Sequence, residues 1–162
     1  MDHIDKIIAQ WAQERPDLDV GPMELIGRIK RLMQHLSREM EKTFLEHGLN
    51  AASFDVLATL RRAGTPYSLS AGDLIAMTMV TSGTMTNRID QLEKSGFVER
   101  VKNPDDGRGV LISLTAKGFA VIEIAIKAHV QTQAVLVSAL SKKDKDTLNL
   151  GLKKFLTGFE ED

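Results

Sequence analysis

The stretch LSAGDLIAMTMVTSGTMTNRIDQLEKSG, residues 69–96, predicts two helices joined by a short turn. Ser70 and Asp73 stand at the spacing of a capping box, which predicts where the first helix begins. The hydroxyl and glycine residues 81–83 predict the start of the second helix, and Gly96 is a suitable residue to end it. The sequence therefore predicts a helix, a turn and a helix over these 28 positions.

The second of these helices separates its side chains into two faces at the 3.6-residue period. Its apolar stripe, which predicts contact with a core, consists of Met85, Ile89 and Leu92. Its polar face carries Thr84, Asn87, Arg88 and Gln91. Solvated helices usually carry glutamate and lysine pairs, whereas these side chains can donate to base edges and to phosphates. Taken alone, the segment fits a DNA-reading helix and a surface helix of an ordinary α-domain equally well.

The length and composition of the chain limit the folds and functions that are possible. A chain of 162 residues, 43% of them hydrophobic, predicts one domain with helical extensions. The absence of cysteine excludes disulfides and thiolate metal sites, and we expect no cofactor. No stretch approaches the ~18 uninterrupted apolar residues of a membrane span, so a cytoplasmic protein without a membrane partner is expected. Because the net charge is −1, DNA affinity has to come from local basic residues or from dimerisation.

Amphipathic helices are predicted on both sides of the central stretch, at about residues 2–14, 23–47, 51–63, 116–140 and from 142 onward. Ser141 and Asp144 form a second capping box before the last of them. Two short β-type runs, 97–102 and 109–114, flank the polar turn 103–108 and predict a β-hairpin. The expected fold is mainly α with a small β-hairpin wing: a winged helix-turn-helix core flanked by long N- and C-terminal dimerisation helices.

The motifs FDVLATLRRAG, LEKSGFVERV and NPDDGRGVLISLTAKG follow one another in the order found in one group of regulators. With the two central helices, they make the chain resemble MarR-family transcriptional regulators over nearly its whole length. The resemblance implies a homodimer that binds an operator in double-stranded DNA and is not an enzyme. It also implies one domain, 1–162, with N-terminal helices for dimerisation and a ligand pocket in 1–48, the winged helix-turn-helix in 49–114, and C-terminal dimerisation helices in 115–162.

The same resemblance assigns DNA contacts to positions of this chain. Phosphate contacts at the start of the recognition helix are expected from Thr81, Ser82 and Thr84. Groove contacts are expected from Thr86, Asn87, Arg88 and Gln91. The wing would place Arg108 in the minor groove. Contacts to the DNA phosphate backbone are expected from Lys94, Arg100 and Lys102. Residues 81–118 hold six basic and five acidic side chains, so binding depends on geometry.

Many family members carry two consecutive arginines in the wing, whereas here Gly107 stands before Arg108. The arginine at the tip is kept, and glycine suits a tight turn.

Within the family, the chain looks most like the PecS and urate-responsive branch. The shared features are an added N-terminal helix with Trp11 and Arg15 in QWAQERPDLD, Asp55 in FDVL, and Arg88 in the recognition helix. The resemblance implies an anionic aromatic ligand, such as urate or a related purine, that binds Trp11, Arg15, Asp55, Thr86 and Arg88. Binding would release a repressor from a palindromic operator. The alternative is that Trp11 only packs its own helix and that Asp55 and Arg88 form a structural ion pair.

A different class of function is a winged-helix module for protein–protein contact without DNA binding. An enzyme is the weakest candidate, because the four histidines are scattered and the chain has no glycine-rich phosphate loop.

Overall fold

The structure, a computed structural model, describes residues 1–78, 82–104, 106 and 109–160, with only the backbone of 82–84. Its contacts divide the chain into two units, Met1–Lys42 and Thr43–Asp162. The elements, in chain order, are α1 (His3–Glu14), α2 (Gly21–Glu46), α3 (Ala51–Arg62), β1 (Ser68–Ser70), α4 (Ala71–Met77), α5 (Ser82–Lys94), β2 (Val98–Lys102), β3 (Val110–Leu114), α6 (Ala116–Leu136) and α7 (Lys142–Glu160).

The first unit consists of α1 and most of α2. Asp2 caps α1 by accepting hydrogen bonds from backbone amides, and Arg28 on α2 forms ion pairs with Asp2 and Asp5. The hydrogen bond from Arg28, followed by that from the Asp5 amide, lowers the pKa of Asp2 to about 2. Helix α2 begins at Gly21, two residues before the predicted start. Pro22 therefore lies in the first turn, where the missing amide hydrogen removes no helical hydrogen bond.

In the second unit, α3 packs against α6, α4, α5 and the sheet. The apolar stripe of α5 is buried as predicted, with Met85 1%, Ile89 2% and Leu92 2% exposed. The large side chains with less than 2% exposure are Leu57, Leu60, Leu74, Met85, Ile122, Val56, Val98 and Thr59. This core fixes α5 by one face and leaves its other face outward.

The sheet has three antiparallel strands in the order β1-β3-β2, where the sequence predicted a two-stranded hairpin. The hairpin itself is confirmed, with Val98 opposite Leu114 and Lys102 opposite Val110. The additional strand β1 pairs Ser68 with Ser113 and Ser70 with Leu111. Its Ser-Leu-Ser sequence has low strand propensity, so the strand forms because it lies along the edge of β3, a tertiary effect.

The helix boundaries follow the predicted caps. Ser70 Oγ accepts a hydrogen bond from the Asp73 amide at 3.1 Å, and Ser141 and Asp144 exchange both bonds of the second capping box. Gly96 has φ +72°, a left-handed conformation that glycine adopts without strain, directly after α5. The capping signals of the sequence were therefore confirmed where the structure describes them.

Helix α6 ends at Leu136, four residues before the predicted end. One face contacts α3, with Ile122 fully buried, while Val130 is 57% exposed. By length and composition α6 is apolar enough to cross a membrane. However, α6 packs against α3 within the second unit, with Ile122 and Ala125 buried, and Glu123 on α6 accepts a hydrogen bond from Arg61 of α3 at 2.5 Å.

Helix α7 has no buried residue within the single chain. Its exposed apolar side chains recur at helical spacing: Leu148, Leu152, Phe155, Leu156 and Phe159. The architecture is thus mainly helical, with a winged helix-turn-helix between N- and C-terminal helices, which confirms the predicted fold class.

Candidate nucleic-acid interface

The outer face of α5 is the candidate DNA-reading surface. Thr86, Asn87 and Gln91 are exposed, because Met85 and Ile89 hold the opposite face in the core. Asparagine and glutamine side chains combine a donor and an acceptor, which suits bidentate bonds to adenine. The surface therefore presents uncharged side chains that can hydrogen-bond base edges, on a helix whose opposite face is packed in the core.

Arg88 is less exposed than Thr86, Asn87 and Gln91. It is half-buried, and its Nη1 donates to Ser53 Oγ at 3.3 Å and to Gln91 Oε1 at 3.0 Å. Its Nε is buried without a hydrogen-bond partner among the described residues. Among the described residues, no carboxylate forms an ion pair with the Arg88 guanidinium. Arg88 is thus turned toward the N-terminal end of α3, and its charge is incompletely satisfied.

A cavity of about 350 Å³ adjoins this guanidinium. It lies between the last turn of α2, the start of α3 and the second half of α5, all within the second unit. Its walls are formed by Leu45, Gly48, Leu49, Asn50, Ser53, Arg88, Gln91, Leu92, Ser95 and Phe97. The walls therefore combine leucine and phenylalanine side chains with one cation and several hydrogen-bonding groups.

Arg100, predicted to contact the DNA backbone, is engaged within the protein. From β2 its Nη2 lies 2.5 Å from Asp90 Oδ1, and its Nη1 contacts the Glu93 carboxylate, both on α5. The hydrogen bond to Asp90 raises the pKa of Arg100 above its ordinary value. By contrast, Lys94 and Lys102 are exposed and available to phosphates.

The residues of the predicted ligand set lie in both units. In the first unit, Trp11 is 40% exposed, and the Arg15 guanidinium donates to Asp17 at 2.7 and 2.8 Å. That pair lowers the pKa of Asp17. In the second unit, Asp55 is half-buried on α3, while Thr86 and Arg88 belong to α5. The described contacts of Arg88 go to Ser53 and Gln91, and the suggested ion pair with Asp55 is not among them.

Several predicted DNA contacts fall outside the described residues. These are Thr81 and Arg108, together with the side chains of Ser82 and Thr84.

The sequence interpretation missed the role of Ser53, Asp90 and Glu93. Asp90 and Glu93 stand three residues apart on α5, a spacing that places them on one side of the helix. That spacing could have indicated a shared cationic partner, although not that the partner would be Arg100. Over the described residues, no group of three histidine, aspartate or glutamate side chains could hold a metal ion.

Comparison with known proteins agrees with this geometry. The MarR family profile matches residues 47–109, from just after α2 into the wing. The transcriptional regulator PecS of Dickeya dadantii is 39% identical over 145 residues, which cover 90% of this chain and 87% of that protein. The chain belongs to the MarR family. It is accordingly a DNA-binding transcriptional regulator and not an enzyme, which sets aside the protein-contact module without a DNA role.

Two solved structures of DNA-binding proteins support the same conclusion. A cysteine-to-serine mutant of Escherichia coli MarR, solved with operator DNA, has a TM-score of 0.71 and 29% identity, over 90% of this chain and 97% of that one. BpsR of Bordetella bronchiseptica, whose DNA binding is regulated by 6-hydroxynicotinic acid, has a TM-score of 0.70 and 25% identity, over 80% of this chain and 90% of that one.

Proposed function

We propose that this MarR-family protein is a cytoplasmic homodimeric repressor that leaves a palindromic operator when it binds a small anionic aromatic ligand. The observation that carries the proposal is Arg88: a half-buried guanidinium without a carboxylate partner among the described residues, at the wall of a cavity, on the recognition helix. A cation in this position can respond to an anion and transmit the response to the helix that reads DNA.

The proposed DNA contacts are of two kinds: those that recognise base edges and those that position the protein on the DNA. Thr86, Asn87 and Gln91 read base edges from the exposed face of α5. Arg88 joins them once its contacts to Ser53 and Gln91 open. Phosphate and minor-groove contacts complete the set, from Thr81, Ser82, Thr84, Lys94, Lys102 and Arg108. The structure of a MarR mutant with operator DNA, a relative of similar fold, supports the binding of operator DNA.

Replacing Asn87 by alanine is expected to weaken operator binding about 5- to 150-fold for each half-site, because one bidentate base contact contributes about 1–3 kcal/mol. Base preference should relax at one position of each half-site. Fluorescence anisotropy with a duplex enriched by the wild-type protein from a random-sequence library measures both effects. The control Lys94→Ala should lower the salt dependence of binding without altering base preference. Unchanged affinity and preference in Asn87→Ala would contradict the assigned role.

The ligand part of the proposal follows from the chemistry of the cavity. An aromatic anion can place its ring against Leu49 and Phe97 and its negative charge against Arg88. The guanidinium then exchanges its bonds to Ser53 and Gln91 for bonds to the ligand. Because Arg88 and Gln91 both belong to the reading helix, a ligand that prefers the rearranged state weakens operator binding.

Urate or a related purine is the first candidate because the chain resembles the urate-responsive branch. On that resemblance alone, the proposal adds Trp11, Arg15, Asp55 and Thr86 to the ligand set. Arg15 would have to leave its pair with Asp17 in order to take part. BpsR, a relative regulated by an aromatic acid, supports the class of ligand.

The variant Arg88→Gln tests the ligand response. Urate, xanthine and salicylate are titrated separately against the protein–duplex complex, and at least one should weaken wild-type binding about tenfold. The same anion, near saturation, should raise the Tm of the free wild-type protein by about 5 °C or more. Both responses should vanish in Arg88→Gln.

The control for this variant is Ser53→Ala, which keeps the guanidinium and removes only one of its weak acceptors. It should retain both responses. If none of the three anions shifts either wild-type measurement, the proposed ligand class is wrong, although the DNA-binding assignment stands.

A further inference from the structure

Two ion pairs of one arginine join the recognition helix α5 to the wing strand β2. Asp90 and Glu93 project from the same side of α5, and Arg100 meets both from β2. Between them the chain turns at Gly96, so that only six residues separate Glu93 from Arg100. A guanidinium presents several N–H groups in a fixed plane, so it can bond two carboxylates at once and resist rotation between them.

We propose that Arg100 is a positioning residue for operator binding: by joining Asp90 and Glu93, it fixes the wing strand β2 against the recognition helix α5. It does not act as a phosphate contact. This inference rests on the proposed reading of one operator by α5 and the wing together. Two linked binding elements strengthen each other only when both can engage simultaneously, so their relative orientation determines how much affinity the wing adds.

The positions of the charges support this assignment over a phosphate contact. Both terminal nitrogens of Arg100 are already bonded to carboxylates, whereas Lys94 and Lys102, which are exposed like Arg100, form no ion pair among the described residues. A phosphate bound to Arg100 would lie close to both carboxylates, and their negative charges would repel it. The pairs are partly exposed, with side-chain exposure of 36% for Arg100 and 48% for Asp90. Pairs of this kind add little to folding stability, so their removal should leave the fold intact.

The test compares variants of Arg100 for which a wing-positioning role and a phosphate-contact role predict opposite results. Binding to the enriched duplex is measured by anisotropy over a range of salt concentrations, and the Tm confirms folding. Arg100→Lys keeps the positive charge but loses the planar fork. If Arg100 positions the wing, this variant should bind about fivefold more weakly and keep the wild-type salt slope. A phosphate contact predicts nearly wild-type affinity for Arg100→Lys, and for Arg100→Gln a slope reduced by about 0.9 per protomer.

The double variant Asp90→Asn with Glu93→Gln gives the second comparison. Removing two carboxylates beside the DNA should strengthen binding on simple electrostatic grounds. If the carboxylates hold the wing through Arg100, binding should instead weaken about threefold or more. Adding Arg100→Gln to this background should then change the affinity by less than about twofold, because the three residues act as one unit. Glu99→Gln removes an exposed carboxylate from the same strand and is the matched control, with affinity unchanged or slightly higher.

Tighter or unchanged binding by the double variant would contradict the proposal, as would wild-type affinity in Arg100→Lys. A wild-type protein that binds no duplex from the library would contradict the proposed function and this inference together. Normal wild-type binding with the phosphate-contact pattern in the variants would overturn this inference alone.

Discussion

Replacing Gly118 by alanine is expected to lower the free energy of unfolding by about 3 kcal/mol. A Cβ atom at this position would lie 1.9 Å from the Phe97 carbonyl oxygen and 2.8 Å from its carbonyl carbon. Both are backbone atoms, so a rotamer change cannot relieve the overlap. The start of α6 has to move away from the turn that follows α5.

The surrounding hydrogen bonds show why this movement is costly. The Gly118 amide donates to Thr115 Oγ1 at 3.0 Å, and the same hydroxyl donates to the Gly96 carbonyl at 2.7 Å. The Thr115 amide donates to the Phe97 carbonyl at 3.1 Å. A shift of α6 therefore strains the helix cap and the base of the wing at once, and each bond that fails leaves a polar group without its partner.

Thermal unfolding monitored by circular dichroism measures the effect, and a loss of about 3 kcal/mol corresponds to a Tm lower by roughly 6–12 °C. The matched control is Gly151→Ala on α7, where an added Cβ meets nothing within 4 Å. That variant should be stabilised by about 0.5–1 kcal/mol, because alanine favours a helix interior over glycine. Equal Tm values for the two variants would contradict the close-packing argument.

Replacing Leu152 and Leu156 together by glutamate is expected to convert the protein to a monomer and to weaken operator binding about 100-fold or more. The two leucines are 48% and 52% exposed in the single chain, on a stripe of α7 that includes Phe155. Exposed apolar surface of this kind marks an interface. A palindromic operator is bound by two recognition helices at once, and a monomer offers only one.

Sedimentation equilibrium and anisotropy on the enriched duplex test this expectation. Lys153→Glu is the control, since it adds negative charge to the same helix without altering the apolar stripe. It should remain dimeric. A wild-type protein that sediments as a monomer would contradict the proposed homodimer, and a double variant that stays dimeric would contradict an interface on the apolar stripe of α7.

Much of the fold follows from local signals in the chain. The apolar spacing of Met85, Ile89 and Leu92 predicted the buried side of α5, because helical geometry alone decides which residues share a face. Ser70 and Gly96 likewise marked helix ends through hydrogen bonding and backbone conformation that involve only close neighbours. These features need no knowledge of what the helix packs against.

The candidate site was only partly predictable. The sequence placed Asn87 and Arg88 together as groove contacts, and the structure separates them, with Asn87 exposed and Arg88 held by Ser53. A long flexible side chain at the edge of a helix face can take either direction. Which direction it takes depends on the helix beside it, and periodicity carries no information about that neighbour.

By itself, the sequence determined the helix-turn-helix, the wing hairpin, the buried face of the recognition helix and, through its motifs, the MarR family. Only the tertiary structure decided that Ser68–Ser70 forms a strand, that Arg88 borders a cavity and that Arg100 joins Asp90 to Glu93. The physical reason is the separation along the chain over which each effect acts. Propensity, capping and periodicity act between residues a few positions apart, whereas the partners of an edge strand or a guanidinium come from segments brought together by the packing of the core.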